Sequence, residues 1–110
     1  MIIRNEQMAS LQRDHLRHFE SRALAVLARQ YPQEFSRRGD EGMLQLLRDT
    51  MKWTKAFGLN TEAGVMVCAE LSIRYGKNFQ TRENWAGYIL NHPELDTQAK
   101  VRRLKGYALR

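Results

Sequence analysis

The helix stops in this sequence constrain its fold more than any other feature. Pro32, Gly58, Gly76 and Pro93 divide the chain, and between them apolar residues recur every three or four positions. That spacing is typical of amphipathic helices, and no segment shows the period-two alternation of a strand. Proline disfavours helical backbone in the residue before it, and glycine ends helices in the left-handed conformation. The sequence therefore predicts an all-α protein, a compact bundle of about five helices.

The same stops set approximate bounds for each helix. A short helical turn is expected from Pro32 to Arg38, with Gly39 ending it. The last helix starts at Asp96 or Thr97, is interrupted near Gly106, and frays after about residue 105. The other predicted helices cover about 6–30, 41–57, 62–75 and 81–90, the last of these with Thr81 as its cap.

The third predicted helix, about 62–75, has the composition of a buried element. Its apolar and small residues cover most of its circumference, which is typical of a helix surrounded by others. We therefore expect it to be central. Gly64 lowers its intrinsic helix propensity, which indicates close packing against a neighbour at that position.

Length and targeting signals predict one domain in the cytoplasm. A chain of 110 residues is the size of a single domain. No signal peptide follows Met1, since Arg4 interrupts the opening at once, and no apolar run has the ~18 residues of a membrane span. Cys68 is the single cysteine and lies in an apolar run, so we expect a buried, unreactive thiol.

Residues with catalytic or metal-binding chemistry do not form a convincing set. His15 and His18 share a helix face with Asp14 nearby, but no further cluster completes the four ligands of a structural zinc site. Glu70 is the one acid within an apolar helix, and we expect it to pair with Arg22, Arg29 or Arg74 rather than to act in catalysis. No glycine-rich phosphate loop or serine elbow is present. The sequence therefore predicts a protein that is not an enzyme and that has no cofactor or metal.

Positive charge is concentrated at one end of the chain. The net charge is +6, and +5 of it lies from Lys100 onward, which leaves +1 for the other 99 residues. A basic surface favours acidic partners, and exposed aromatic residues supply anchors in protein interfaces. The candidate partner-binding residues are Arg13, Arg17, Phe79, Arg82, Trp85, Lys100, Arg102 and Arg103.

Part of the sequence resembles a known group of proteins. The run Ile73–Phe79, followed by Trp85–Ala86 and Ile89–Leu90, resembles small helical proteins encoded in bacterial type VI secretion gene clusters. The opening Ile2–Met8, with a long arginine-containing helix behind it, is similar to the start of these proteins. Their genes lie near those for spike proteins, adaptor chaperones and toxic effectors. The resemblance implies an accessory protein that binds an effector, an adaptor or the spike.

Three functional hypotheses remain open at this point. The first is a non-catalytic accessory factor of type VI secretion, either an effector-associated chaperone or co-chaperone or an adaptor. The second is a nucleic-acid-binding regulator that uses the basic surface. The third is an immunity protein that neutralises a toxin. The oligomeric state and the identity of the partner are not determined by the sequence.

Overall fold

The structure is a computed structural model, and it describes residues 4–109 other than 60, with side chains described from Leu16 onward. All regular elements in this part of the chain are helices, and none is a strand. The predicted all-α class is confirmed. The structure does not describe Asn60, which precedes the third predicted helix. The side chains of the candidate residues Arg13, Asp14 and His15 are not described either.

The first two helices join at a proline. Helix α1 (Arg4–Gln30) is followed by Tyr31, whose φ of −131° and ψ of 62° are non-helical, as expected before Pro32. Helix α2 (Pro32–Ala56) has this proline in its first turn, where no N–H is needed. Gly39, with φ 76° and ψ 171°, kinks α2 and separates its first turns from the rest. The break predicted at this glycine is therefore present.

One hydrophobic cluster joins the first three helices. Phe19 and Ala23 of α1 pack with Leu47 of α2 and with α3. Leu16 lies one helical turn before Phe19 on the same side of α1, yet Leu16 is 48% exposed. The core contribution described for α1 therefore begins one turn later, at Phe19.

Helix α3 (Glu62–Tyr75) is the central element, as predicted. The Thr61 hydroxyl accepts a hydrogen bond of 3.0 Å from the N–H of Gly64 and so caps the helix. Val65 and Ala69 belong to the cluster with α1 and α2, while another part of α3 contributes to a second cluster with the following helices. Seven of its residues are buried: Gly64, Val65, Val67, Cys68, Ala69, Leu71 and Ser72.

The segment predicted as a fourth helix is two short helices, so the prediction of one helix capped by Thr81 was wrong. Helix α4 (Phe79–Arg82) and helix α5 (Asn84–Leu90) are separated by Glu83, whose φ of −90° and ψ of 124° are extended. Thr81 lies inside α4. The break allows the Phe79 ring to be fully buried while α5 packs Ala86, Ile89 and Leu90 into the same cluster.

The last helix, α6 (Thr97–Ala108), closes the fold. Asp96 caps it by accepting a 2.8 Å hydrogen bond from the N–H of Ala99, and the Thr97 hydroxyl donates to the carbonyl of Gly58 at 2.9 Å. The interruption predicted near Gly106 does not occur. The helix continues to Ala108 because Leu104 and Ala108 are both buried, in contact with the second cluster.

In the part of the chain that the structure describes, none of the helices combines the length and apolar character that crossing a bilayer requires.

Candidate functional site

Three cations of α6 differ from most other described arginines, because no acidic side chain pairs with them. Lys100, Arg102 and Arg103 form no ion pair with any described residue, and Arg102 and Arg103 are exposed. Lys105 is also exposed and is close enough to Glu70 to affect its pKa. Elsewhere, ion pairs join Arg22 to Glu62, Arg37 and Arg38 to Glu34, Arg48 to Glu20, and Arg82 to Glu83.

Helical spacing divides the exposed and half-buried residues at the end of α6 between two sides. Residues three or four apart are neighbours on a helix surface, so Lys100, Arg103 and Tyr107 share one side. Arg102, Lys105 and Leu109 share the other by the same rule. Both sides flank a buried stripe that contains Leu104 and Ala108. The cations are therefore held on a firmly packed helix rather than on a loose end.

One aromatic side chain of α5, Trp85, lies against the first of these sides. The Trp85 ring stacks on the Tyr107 ring, with ring centroids 4.0 Å apart and an interplanar angle of 5°. Tyr88, one turn further along α5, is 64% exposed and makes an edge contact with His92 at 5.3 Å. Exposed tyrosine and arginine side chains are both enriched at protein interfaces. We call Lys100, Arg102, Arg103, Lys105, Trp85, Tyr88 and Tyr107 the α5–α6 surface.

Two predicted site residues serve inside the fold. Phe79 has no accessible surface, and its ring contacts Trp53 at 5.6 Å and Trp85 at 6.0 Å. A side chain without accessible surface does not touch a partner while this packing persists. The Arg82 guanidinium donates to the carbonyl oxygen of Lys77 at 2.8 Å and to that of Tyr75, the last residue of α3. It thus binds carbonyls at and beyond the end of α3.

The remaining predicted residues are spread over the molecule. Arg17 is exposed on α1, Lys100, Arg102 and Arg103 lie on α6, and Trp85 stacks on Tyr107 of the same helix. The charge run in the sequence predicted these cations as a group. It did not reveal Tyr88, Tyr107 or Leu109, although Tyr88 and Trp85 are three apart, which is a signal for one helix face.

Reactive side chains in the described part of the chain are shielded or singly placed. Burial raises the pKa of the Cys68 thiol to about 12, which keeps it protonated near neutral pH. Burial also raises the pKa of Glu70, and the charges of Lys105 and Arg74 oppose that shift. Of the predicted partners of Glu70, Arg74 is therefore near it, while Arg22 pairs with Glu62. Among the described residues, no group of three or more histidines, cysteines and acids is placed to hold a metal ion.

A cleft of about 400 Å³ separates α2 from the residues that follow α3. Trp53 and Leu46 form its apolar wall, and Thr50 and Ser72 lie deep within it. The Thr50 hydroxyl donates to the Leu46 carbonyl at 2.7 Å, and the Ser72 hydroxyl donates to the Cys68 carbonyl at 3.0 Å. Neither hydroxyl is paired with a histidine, and the cleft lining contains none. The α5–α6 surface is therefore the better candidate site.

Comparison of the chain with protein-family models, curated proteins and solved structures found no match to any of them.

Proposed function

We propose that this chain is a non-catalytic, cytoplasmic, protein-binding accessory factor of a bacterial type VI secretion system. It holds an acidic surface of its partner against the α5–α6 surface, as an effector-associated chaperone or co-chaperone or as an adaptor. The observation that carries the proposal is the set of cations on α6 without ion pairs, on a helix packed against α5, which carries the exposed Tyr88. Such cations remain available for charge pairing across an interface.

The secretion setting rests on the sequence resemblance. The run Ile73–Phe79 and the pairs Trp85–Ala86 and Ile89–Leu90 resemble accessory proteins encoded beside spikes, adaptor chaperones and effectors. These segments include the end of α3 and most of α5, which carries Trp85 and Tyr88. The resemblance therefore includes one aromatic residue of the proposed binding surface, Trp85.

The test is co-purification with separately expressed products of neighbouring genes. The tagged chain is expected to retain a spike, adaptor or effector protein, and the double variant Arg102→Glu/Arg103→Glu is expected to lose it. The matched control is Lys52→Glu/Lys55→Glu, which makes the same change in net charge at two exposed positions of α2. A folded wild-type chain that retains none of these proteins contradicts the proposal.

A nucleic-acid-binding regulator is the second candidate, since the same unpaired cations suit phosphate groups. The stacking of the aromatic rings gives this candidate less support. The Trp85 ring is stacked on Tyr107 and packs nearly parallel to Phe79 at 6.0 Å, so it is already engaged within the fold rather than presented to a base. A gel-shift titration at two salt concentrations decides, because binding through phosphates weakens steeply as salt rises. The third candidate, a toxin-neutralising protein, is tested by mixing the chain with the toxin, because the toxin is then expected to lose its activity.

A further inference from the structure

The outer face of α6, on the side of the helix where Arg102 and Lys105 lie, has an unusual combination of residues. It comprises Arg102, Lys105 and Gly106, with Leu109 directly after the last residue of the helix, and all four are exposed. Leu109 is 77% exposed, the largest exposure among the big apolar side chains of the described residues. A large apolar side chain next to two cations is typical of the anchor of an interface.

Gly106 has no reason to be glycine within the chain itself. It lies inside α6 and does not have the positive φ that glycine alone adopts freely. A Cβ atom built on it meets nothing within 4 Å. Glycine nevertheless weakens a helix relative to alanine. What glycine provides at this position is close approach of another backbone from outside.

The charges on this face decide what approaches it. A second copy of this chain is disfavoured, because each copy carries +6 and the residues from Lys100 to Arg110 contribute +5 of that without an acidic side chain. Complementarity requires a partner with carboxylates near Arg102 and Lys105 and an apolar residue near Leu109. Arg102, Gly106 and Leu109 follow one another at successive helical turns, the spacing at which side chains of a second helix interdigitate.

We infer that the outer face of α6 docks an acidic helix of the partner protein, and that this helix crosses α6 at Gly106. Its carboxylates pair with Arg102 and Lys105, and an apolar residue of it covers Leu109. The inference rests on the proposed protein-binding function and specifies the chemistry of the partner element.

The test uses two synthetic helical peptides of about 20 residues each. The first carries glutamates and leucines on one face with alanine at its centre, and the second replaces each glutamate by lysine. Fluorescence anisotropy is expected to show that the full chain binds the glutamate peptide, more weakly as salt rises, and that it does not bind the lysine peptide.

The decisive variant is Gly106→Ala. It is expected to raise the melting temperature, because alanine favours the helix. It is also expected to lower the affinity for the glutamate peptide about fivefold or more, which corresponds to the loss of one modest contact. Gly87→Ala is the matched control. There an added Cβ meets the Gln80 carbonyl oxygen at an ordinary 3.9 Å, and the glutamate peptide should bind unchanged.

Several results overturn the inference. It fails if the glutamate peptide does not bind, or if Gly106→Ala binds it as tightly as the wild type. An oligonucleotide that binds where the glutamate peptide does not would assign this face to nucleic acid instead. Retention of a neighbouring gene product that is lost in Arg102→Glu/Arg103→Glu but kept in Gly106→Ala leaves the proposed function standing while the crossing at Gly106 falls.

Discussion

Gly64 and Gly106 are both helical, but the space around them is opposite. A Cβ atom at Gly64 would lie 2.7 Å from the carbonyl oxygen of Leu59 and 3.1 Å from the Thr61 hydroxyl oxygen. Both atoms belong to the connection that leads into α3, and Thr61 caps that helix. The close packing predicted from the sequence at Gly64 is therefore present, against the preceding connection. Gly106 has open space instead.

The two alanine variants are expected to change stability in opposite directions. Gly64→Ala should lower the free energy of unfolding by about 1–2 kcal/mol, because displacing a backbone carbonyl outweighs the ~1 kcal/mol gain in helix propensity. Gly106→Ala should raise it by up to about 1 kcal/mol. Urea unfolding of both variants beside the wild type measures the difference. Equal shifts in one direction would contradict this account.

Cys68 lies in the core with no accessible surface. Burial raises the pKa of its thiol to about 12, so below that pH the thiol remains protonated in the folded chain. The thiolate is the reactive species. We expect no reaction of the native protein with a thiol-specific reagent at pH 8. Once denaturant unfolds the chain, the pKa of the thiol returns to its unperturbed value of about 8.5, and we expect the reaction to go to completion. Rapid labelling of the native chain would show that α3 opens readily.

At the scale of single elements, the hydrophobic period and the helix stops predicted the positions of whole helices, but not every break between them. The bounds of α3 agree with the sequence, because Thr61 caps one end and Gly76 ends the other. The extended residue Glu83 was missed, because neither proline nor glycine marks it. Burial of Phe79 on one side and of the α5 stripe on the other requires that break, and such packing is a tertiary effect with no local signal.

Arg82 provides a test of how α3 is tied to α4. Its guanidinium donates to the carbonyls of Lys77 and Tyr75 and lies 3.6 Å from the Glu83 carboxylate. We expect Arg82→Ala to lower the free energy of unfolding by about 1 kcal/mol, a value reduced for the exposure of the side chain.

The control for Arg82 is Arg37→Ala. The Arg37 side chain is 66% exposed and only pairs with Glu34 within one helix, so its loss should cost no more than about 0.5 kcal/mol. Thermal unfolding compares the two variants. If Arg82→Ala proves as mild as the control, the carbonyl contacts do not stabilise the end of α3, and Arg82 is free to serve a partner.

At the scale of the whole molecule, charge is distributed unevenly between the body and α6. Ion pairs join several cations of the body to acids, while Lys100, Arg102 and Arg103 of α6 form no ion pair with any described residue. The position of this charge was readable from the sequence, since a run without acids is visible directly. Which cations have an acidic partner could not be predicted from the sequence, because ion pairs such as Arg48 with Glu20 join residues far apart in the chain. Such long-range pairs decide which cations are neutralised and which are available to a partner.

The attachment of α6 decides whether these cations are held in place. Tyr107 fixes the helix at its end, because its ring stacks on Trp85 and its carbonyl oxygen accepts a 3.2 Å hydrogen bond from the Tyr75 hydroxyl. Tyr107→Ala is therefore expected to lower the free energy of unfolding by about 2 kcal/mol. Leu109→Ala, at a 77% exposed position, should change it by less than about 0.5 kcal/mol.

Hydrogen exchange supplies the readout specific to α6. Amides from Leu104 to Ala108 are expected to be protected in the wild type and in Leu109→Ala, and to exchange faster in Tyr107→Ala, because the stack that holds the helix end is gone. If those amides exchange rapidly in the wild type and Tyr107→Ala costs nothing, the chain frays after about residue 105, as the sequence alone predicts. The cations would then lie on a loose end, and binding through them would carry an ordering cost.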